Sequence, residues 1–227
     1  MLAGQLIEAP EGLLGFDANS FIGPSTAALF RSKGYRFAIR YVPRHKPNPN
    51  DLSMSEAAGI LSSGLGLMIV QHVIAPLEDG TGWVASGALG TEYGAFAAKS
   101  CREIGLPEGV NVWCDLEGVR AHTDPRDVIA FCNNWHAEVG TAGYTPGLYV
   151  GYGPGLTADQ LYRKLRFEHY WSAYNLNSDQ IPAVRGVQMK QAKEQRMGVL
   201  RFDPNTIQRD NVGGLPLMLV DSEWSAE

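Results

Sequence analysis

The feature that most constrains this chain is an alternation. From residue 13 to about residue 165, short apolar runs rich in Val, Ile, Tyr and Phe take turns with segments of helical period. A strand that gives way to a helix before the next strand is a βα unit, and a series of such units builds a parallel sheet. Strands are predicted at residues 13–18, 36–42, 66–74, 110–118 and 147–153. Between them lie helix signals. Pro24 and Ser25 open a segment that should stop at Gly34, and Ser53 with Glu56 forms an S-x-x-E capping box. Leu89, Tyr93, Phe96, Ala97 and Ile104 recur at helical spacing before Gly105. The clearest helix starts at Asp124 and Pro125 and carries Val128, Phe131, Cys132, Trp135 and Val139 on one face. Thr157 and Gln160 make a further capping box.

After that helix the alternation breaks down. EHYWSAYN, VRGVQMKQ and GVLRFDPN read as three strands whose connections are too short for full crossover helices. Five βα units followed by three bare strands fit an irregular TIM-type barrel of the (β/α)5β3 kind better than a doubly wound sheet. The nucleotide-binding alternative also lacks its phosphate loops, because neither G-x-G-x-x-G nor G-x-x-x-x-G-K-[ST] occurs. A single domain over 1–227 is expected, with a core of about 12–210 and a carboxyl-terminal extension over 211–227.

Composition excludes several classes of function. Of the 227 residues 44% are hydrophobic, which suffices for a sizeable core. No uncharged apolar run approaches the roughly 20 residues needed to cross a bilayer, and MLAGQLIEAPEG has no signal-peptide pattern. The expectation is therefore no membrane partner and a chain cytoplasmic when made, with release by lysis, by non-classical secretion or as part of a virion left open. A net charge of −5 with scattered basic residues argues against a nucleic-acid partner. Cys101, Cys114 and Cys132 form no CxxC pair and no metal-ligand spacing, so they read as buried apolar residues. Neither a metal nor a cofactor is expected.

In such a barrel the chemistry gathers at the carboxyl ends of the strands. There the sequence places Asp17, Asp115 with Glu117, and Asp203. The Asp115 and Glu117 pair is the most telling. Residues i and i+2 of a strand share a face, roughly 6 to 7 Å apart, so both acids point inward while Leu116 faces the helices. Two carboxyls among apolar neighbours acquire different pKa values, one staying a proton donor while the other is ionised. Glycoside hydrolysis requires that division of labour. Arg40, Gln71 and His72 fall at neighbouring strand ends and are candidate substrate ligands. The rim is also rich in aromatics, namely Tyr41, Tyr149, Tyr152, Trp171 and Tyr174, suited to the apolar faces of sugar rings. Trp171 and Tyr174, three positions apart, cannot both point inward from a regular strand. Trp171 and Tyr149 are the chosen ligands.

GFDANSFIG, VWCDLEG, GLYVGYGP, HYWSAYN and RFDPNTI occur in an order that resembles the glycoside hydrolase family 25 lysozymes. The chain is more closely similar to the related glycoside-hydrolase-like domain family DUF1906. The resemblance covers nearly the whole chain. It implies a (β/α)5β3 barrel and cleavage of the β-1,4 bond after N-acetylmuramic acid in peptidoglycan. Matched by motif, Glu117 would be the general acid, and Asp115 would orient the substrate N-acetyl group or stabilise positive charge as that group attacks. Asp17 and Asp203 would hold the acid and the substrate. Where the lysozymes usually carry W-Q-Y, this chain has Val187-Gln188-Met189, keeping the amide of Gln188 as a substrate ligand. Arg40 in RYV looks more like the glycoside-hydrolase-like family. The leading reading is a glycoside hydrolase acting on peptidoglycan or a related polysaccharide. The alternative is a noncatalytic glycan-binding module, or a component of a virion or secretion apparatus, built on the same barrel.

Overall fold

The computed structural model describes residues 1–72 and 82–226 of the chain. An entry strand β1 (Gln5–Glu8) precedes five βα units: β2 (Leu14–Ala18) and α1 (Pro24–Ser32), β3 (Phe37–Val42) and α2 (Met54–Ser62), β4 (Gly66–Gln71) and α3 (Gly87–Ile104), β5 (Asn111–Leu116) and α4 (Pro125–Thr141), β6 (Thr145–Val150) and α5 (Ala158–Arg163). The last third contains β7 (His169–Ser172), β8 (Met189–Gln191), β9 (Gln195–Met197), β10 (Leu200–Ile207) and β11 (Leu217–Val220). Val73 and Ile74, predicted to end the third βα strand, lie outside the described residues.

Eight strands close into a ring. β2 through β8, seven in chain order, pair in parallel, including the β4–β5 pairing. β10 completes the ring between β8 and β2 and runs antiparallel to both. This is the irregular TIM-type barrel the alternation predicts, with no α-helix after β7 among the described residues, where the crossover to β8 carries only the 3-10 turn Ser178–Gln180. The antiparallel strand adds a correction. Asp203 reaches the functional rim from the early half of β10, in register with Asp17, and not from a strand's carboxyl end.

Period-two alternation divides each strand between two apolar layers. Phe37, Ile39, Met68, Val70, Trp113, Trp171 and Met189 fill the barrel interior. Phe16, Leu67, Ile69, Val112, Cys114, Leu116 and Leu148 face the helices, with Phe131, Cys132, Trp135 and Val139 of α4 against them. The interior is full enough that Gly147 has no room for a Cβ, since the Trp113 ring occupies that space. Phe16 stacks on Phe30 at 3.7 Å, and Phe202 meets Phe30 edge-on at 4.9 Å, so α1 covers the wall where β10 has no helix of its own. Cys101, Cys114 and Cys132 are buried and unbridged.

The helix starts follow the local chemistry. Asp124 caps α4 by accepting the Arg126 N–H at 2.9 Å, with Pro125 in the first turn. Thr157 and Gln160 form the reciprocal box at α5. The box at α2 is half-made: Ser53 Oγ accepts the Glu56 N–H at 3.2 Å, but the Glu56 carboxylate is engaged by Arg40.

The segment after residue 210, expected as an extension, belongs to the barrel. β11 pairs with β1 along its length and touches the start of β4 at Leu219↔Leu67. No helix among the described residues is long and apolar enough to cross a membrane.

Candidate active site

Inward positions of six strands converge on the upper mouth of the barrel. Asp17 lies near the end of β2, Asp115 near the end of β5 with Glu117 just beyond, and Tyr149, Trp171 and Gln191 follow on β6, β7 and β8. Asp203 and Asn205 complete the ring on β10. A cavity of about 330 Å3 is lined by Tyr41, Val70, Asp115, Glu117, Tyr149, Trp171, Tyr174, Gln191, Lys193, Glu194 and Asp203. A second cavity of about 250 Å3, reaching Asp17, Asn19, Ser20 and Arg201, shares Tyr41, Glu194 and Asp203 with the first. The two form one acid-lined cleft.

Asp17 is the buried anchor of the cleft, at 1% exposure. Tyr41 Oη donates to its Oδ1 at 3.0 Å, while Gln191 Nε2 and Asn205 Nδ2 donate to its Oδ2 at 3.0 and 2.8 Å. Each amide is itself fixed by an aromatic donor. Tyr149 Oη donates to Gln191 Oε1 at 2.9 Å, and Trp171 Nε1 to Asn205 Oδ1 at 2.8 Å. The aromatic rings thus dictate which way the amides face, and the amides present N–H groups to the carboxylate. Burial nevertheless outweighs these three bonds, and the Asp17 pKa is raised above the usual carboxylate range.

Two further acids keep protons more readily than usual. Glu117, half-buried, has its pKa raised first by burial and then by the charge of Asp17, against a backbone N–H at Tyr152 that lowers it. Asp203 is pushed up to about 7 by burial and by the charges of Asp17, Glu194 and Glu117. The backbone under Glu117 is firmly placed: Trp83 Nε1 donates to the Glu117 carbonyl at 2.7 Å, and Gly118 N–H to the Tyr152 carbonyl at 2.8 Å. Such a cleft can hold a proton donor and anionic carboxylates side by side around a neutral polar ligand.

Asp17, Asp115, Glu117, Asp203, Tyr149 and Trp171 are therefore brought together. The other sequence candidates sit elsewhere. Arg40 is fully buried on the outer side of the wall. It pairs with Glu56 at 2.7 Å and donates to the carbonyls of Ala18 and Asn50, leaving no face for a ligand. Gln71 is on the same outer side, between the Pro43 and Tyr93 carbonyls and the Trp135 indole. Gln188 lies at the opposite end of the barrel, accepting from Tyr170 N–H and donating to Glu168 O and Asp210 Oδ2. His72 flanks the cleft and bonds Asp51 at 2.7 Å. Parity explains the misplacements: Ile39 and Val70 point inward, so Arg40 and Gln71 cannot.

The sequence reading passes over Gln191 and Asn205 and counts Tyr41 only among the rim aromatics, not as a donor to Asp17. The same parity would have found them, because Met189, Asp203 and Ile39 sit two residues earlier on the inner side. Trp171 and Tyr174 do not exclude each other, since β7 ends at Ser172 and both line the cleft. Tyr152, also counted at the rim, is exposed.

The comparisons with known proteins agree with the fold. Residues 28–207 match the model of the Rv2525c-like, glycoside hydrolase-like domain family. The chain belongs to that family. The structure of the Tat-secreted Mycobacterium tuberculosis protein Rv2525c in complex with L-tartrate matches with a TM-score of 0.64 at 15% identity, covering 87% of this chain and 96% of that one. An uncharacterized B. stearothermophilus protein matches with a TM-score of 0.66 at 20% identity, over 87% and 97% of the two chains. A muramidase from Trichobolus zukalii matches with a TM-score of 0.57 at 17% identity, over 86% and 93%. At these identities the likeness is one of fold. No curated protein matches the sequence.

Proposed function

We propose that this family member is a glycoside hydrolase that cleaves peptidoglycan or a related polysaccharide. The observation that carries the reading is the pairing of a half-buried Glu117, whose proton is held above the usual carboxylate range, with Asp115 on the same inward face. The muramidase fold of a structural relative supports it.

In this reading Glu117 gives its proton to the glycosidic oxygen as the bond to the anomeric carbon breaks. Asp115, which lines the same cavity, orients the N-acetyl group of the sugar or balances the positive charge that develops as that group attacks. Asp17 and its amide network hold the floor of the cleft, and the nearby charge of Asp17 helps to keep Glu117 protonated. Tyr149 and Trp171 are buried and act through the amides they orient, so the aromatic surface open to a sugar ring is that of the exposed Tyr174.

Glu117→Gln keeps the shape and removes the transferable proton. Reducing-end release from purified walls should fall by about 10²–10⁴-fold, and the parent's rate should decline as pH climbs through the raised pKa of Glu117. A variant as active as the parent would overturn the mechanism. Tight retention of muropeptides with no release by either protein would mark a noncatalytic glycan binder.

A further inference from the structure

The acid-lined cleft has a neighbour of opposite sign. In the loop between β3 and α2, Pro43, Arg44, His45, Lys46, Pro47 and Asn48 form with His72 a cavity of about 420 Å3. The loop is firmly held. Asp51 accepts Asn48 N–H at 2.7 Å, Asn48 Nδ2 at 2.8 Å and His72 Nε2 at 2.7 Å. Leu52 N–H donates to the Tyr41 carbonyl at 2.9 Å, and Arg40 reaches up from the wall to the Asn50 carbonyl at 2.7 Å.

Asp51 is the one carboxylate in this loop, and the turn and the histidine consume its oxygens. Arg44 and Lys46 have no ion pair among the described residues. Burial lowers the His72 pKa despite the pull of Asp51, so the cavity's positive charge comes from Arg44 and Lys46. In a chain of net charge −5 this is a local reversal of sign. Among the described residues two cations line this concavity against the single carboxylate of Asp51, which is already bonded to the turn and to His72, and the excess of positive charge favours an anion there.

Tyr41 joins the two cavities. Its ring packs against the His72 imidazole with centroids 4.8 Å apart, while its hydroxyl donates to Asp17 and its side chain lines the cleft. A ligand that fills both must place an uncharged hydroxylated part among the carboxylates and a negative group about one side chain away.

We infer that the Arg44 and Lys46 cavity is a subsite for an anionic substituent, a carboxylate or a phosphate, carried by the polysaccharide whose backbone lies in the carboxylate cleft. This inference rests on the glycoside hydrolase reading above. It narrows the substrate to a charged glycan. Arg44 supplies a planar fork for two oxygens and Lys46 a mobile point charge.

The test separates the subsite from the chemistry. The full chain is titrated with inorganic phosphate and, separately, with acetate at fixed ionic strength, following the imidazole resonances of His45 and His72. Saturable shifts are expected, with affinity about tenfold weaker in the double variant Arg44→Gln, Lys46→Gln. Absence of saturation, or equal affinity in the variant, overturns the subsite. Release is then compared on untreated walls, walls stripped of phosphodiesters with hydrofluoric acid, and walls whose carboxylates are amidated. The double variant should trail the parent until the recognised group is removed, and the treatment that closes the gap identifies phosphate or carboxylate. Parent and variant cutting every wall equally overturns the subsite and leaves the hydrolase reading intact. Saturable anion binding without release from any wall overturns the hydrolase reading instead.

Discussion

Asp203 shows how the cleft burdens the fold with charge. Burial and the neighbouring Asp17, Glu194 and Glu117 raise its pKa from 3.8 to about 7. A carboxyl with a raised pKa in the folded state binds its proton more tightly there than in the unfolded chain. Its favourable contribution is fully present below about pH 4 and is lost as pH rises through about 7. Asp203→Asn keeps the shape without the charge. Its melting temperature should match the parent's at pH 4 and exceed it at pH 8, and a pH-independent difference would refute this account. The position of Asp203 is legible in the sequence because an acid in FDPN sits where a strand meets the rim. Its pKa is not, because three of the causes are carboxylates on other segments. Arg40 marks the opposite case. As a lone arginine at a strand end it reads as a ligand, but one step of strand parity turns it outward into a buried pair with Glu56. Removing one partner of such a pair costs about 3–5 kcal/mol, so the pair holds the wall of the barrel and not a ligand.

The contact between β5 and β6 sets the geometry of the proposed acid. Their ladder runs past the strand ends, with Gly151 N–H donating to the Leu116 carbonyl at 3.0 Å. That close approach leaves Gly151 directly beside Glu117. A Cβ on Gly151 would lie 2.5 Å from the Glu117 Cβ and even nearer its Oε2. The Glu117 Cβ is fixed by the backbone and cannot swing away, so Gly151→Ala must displace the acid. A fold that survives with wall release reduced about 100-fold is the expected outcome, measured by reducing-end assay beside circular dichroism, because a shift of about 1 Å in a catalytic group costs that much. Full activity would mean that Glu117 tolerates displacement and is not the proton donor. The five helices are local patterns and were readable in the chain, as was the buried face of α4. By contrast, α3 packs on α4 through Gly90 and Gly94 and buries Ala97 and Cys101 beside them, a small-residue face that the spacing of Leu89, Tyr93 and Phe96 does not mark. The requirement for glycine at 151 comes from Glu117, just past the end of β5 and 34 positions away, and no local pattern carries it. The half-made capping box at α2 has the same origin, since Glu56 answers to Arg40 and to the Ile22 N–H rather than to its own helix.

At the scale of the molecule, the eight-strand ring is foreshadowed by counting strands, but its lower closure is not. The count reaches eight near residue 207, which makes everything later look dispensable. In the structure LPLMLV folds back beneath the barrel. Met218 enters the interior layer, Leu219 the outer one, and Leu215 and Val220 are buried with them. β11 meets β4 at Leu67, below Ile69 where β5 joins, and so caps a stretch of β4 that β5 does not reach. Leu217 N–H donates to the buried Asn111 side chain at 2.5 Å, tying this strand to the start of β5. Burial of four such apolar side chains contributes about 6–12 kcal/mol, against a total stability for a domain of about 5–15 kcal/mol. A chain ending at Asp210 should therefore show no cooperative thermal unfolding. A chain ending at Asp221 keeps β11 and loses the Trp224 indole bond to the Arg36 carbonyl. It should unfold cooperatively at a modestly lower temperature. Were the shorter chain to melt cooperatively at the parent's temperature, β11 would be an ornament on the barrel and the closure argued from its register would fail.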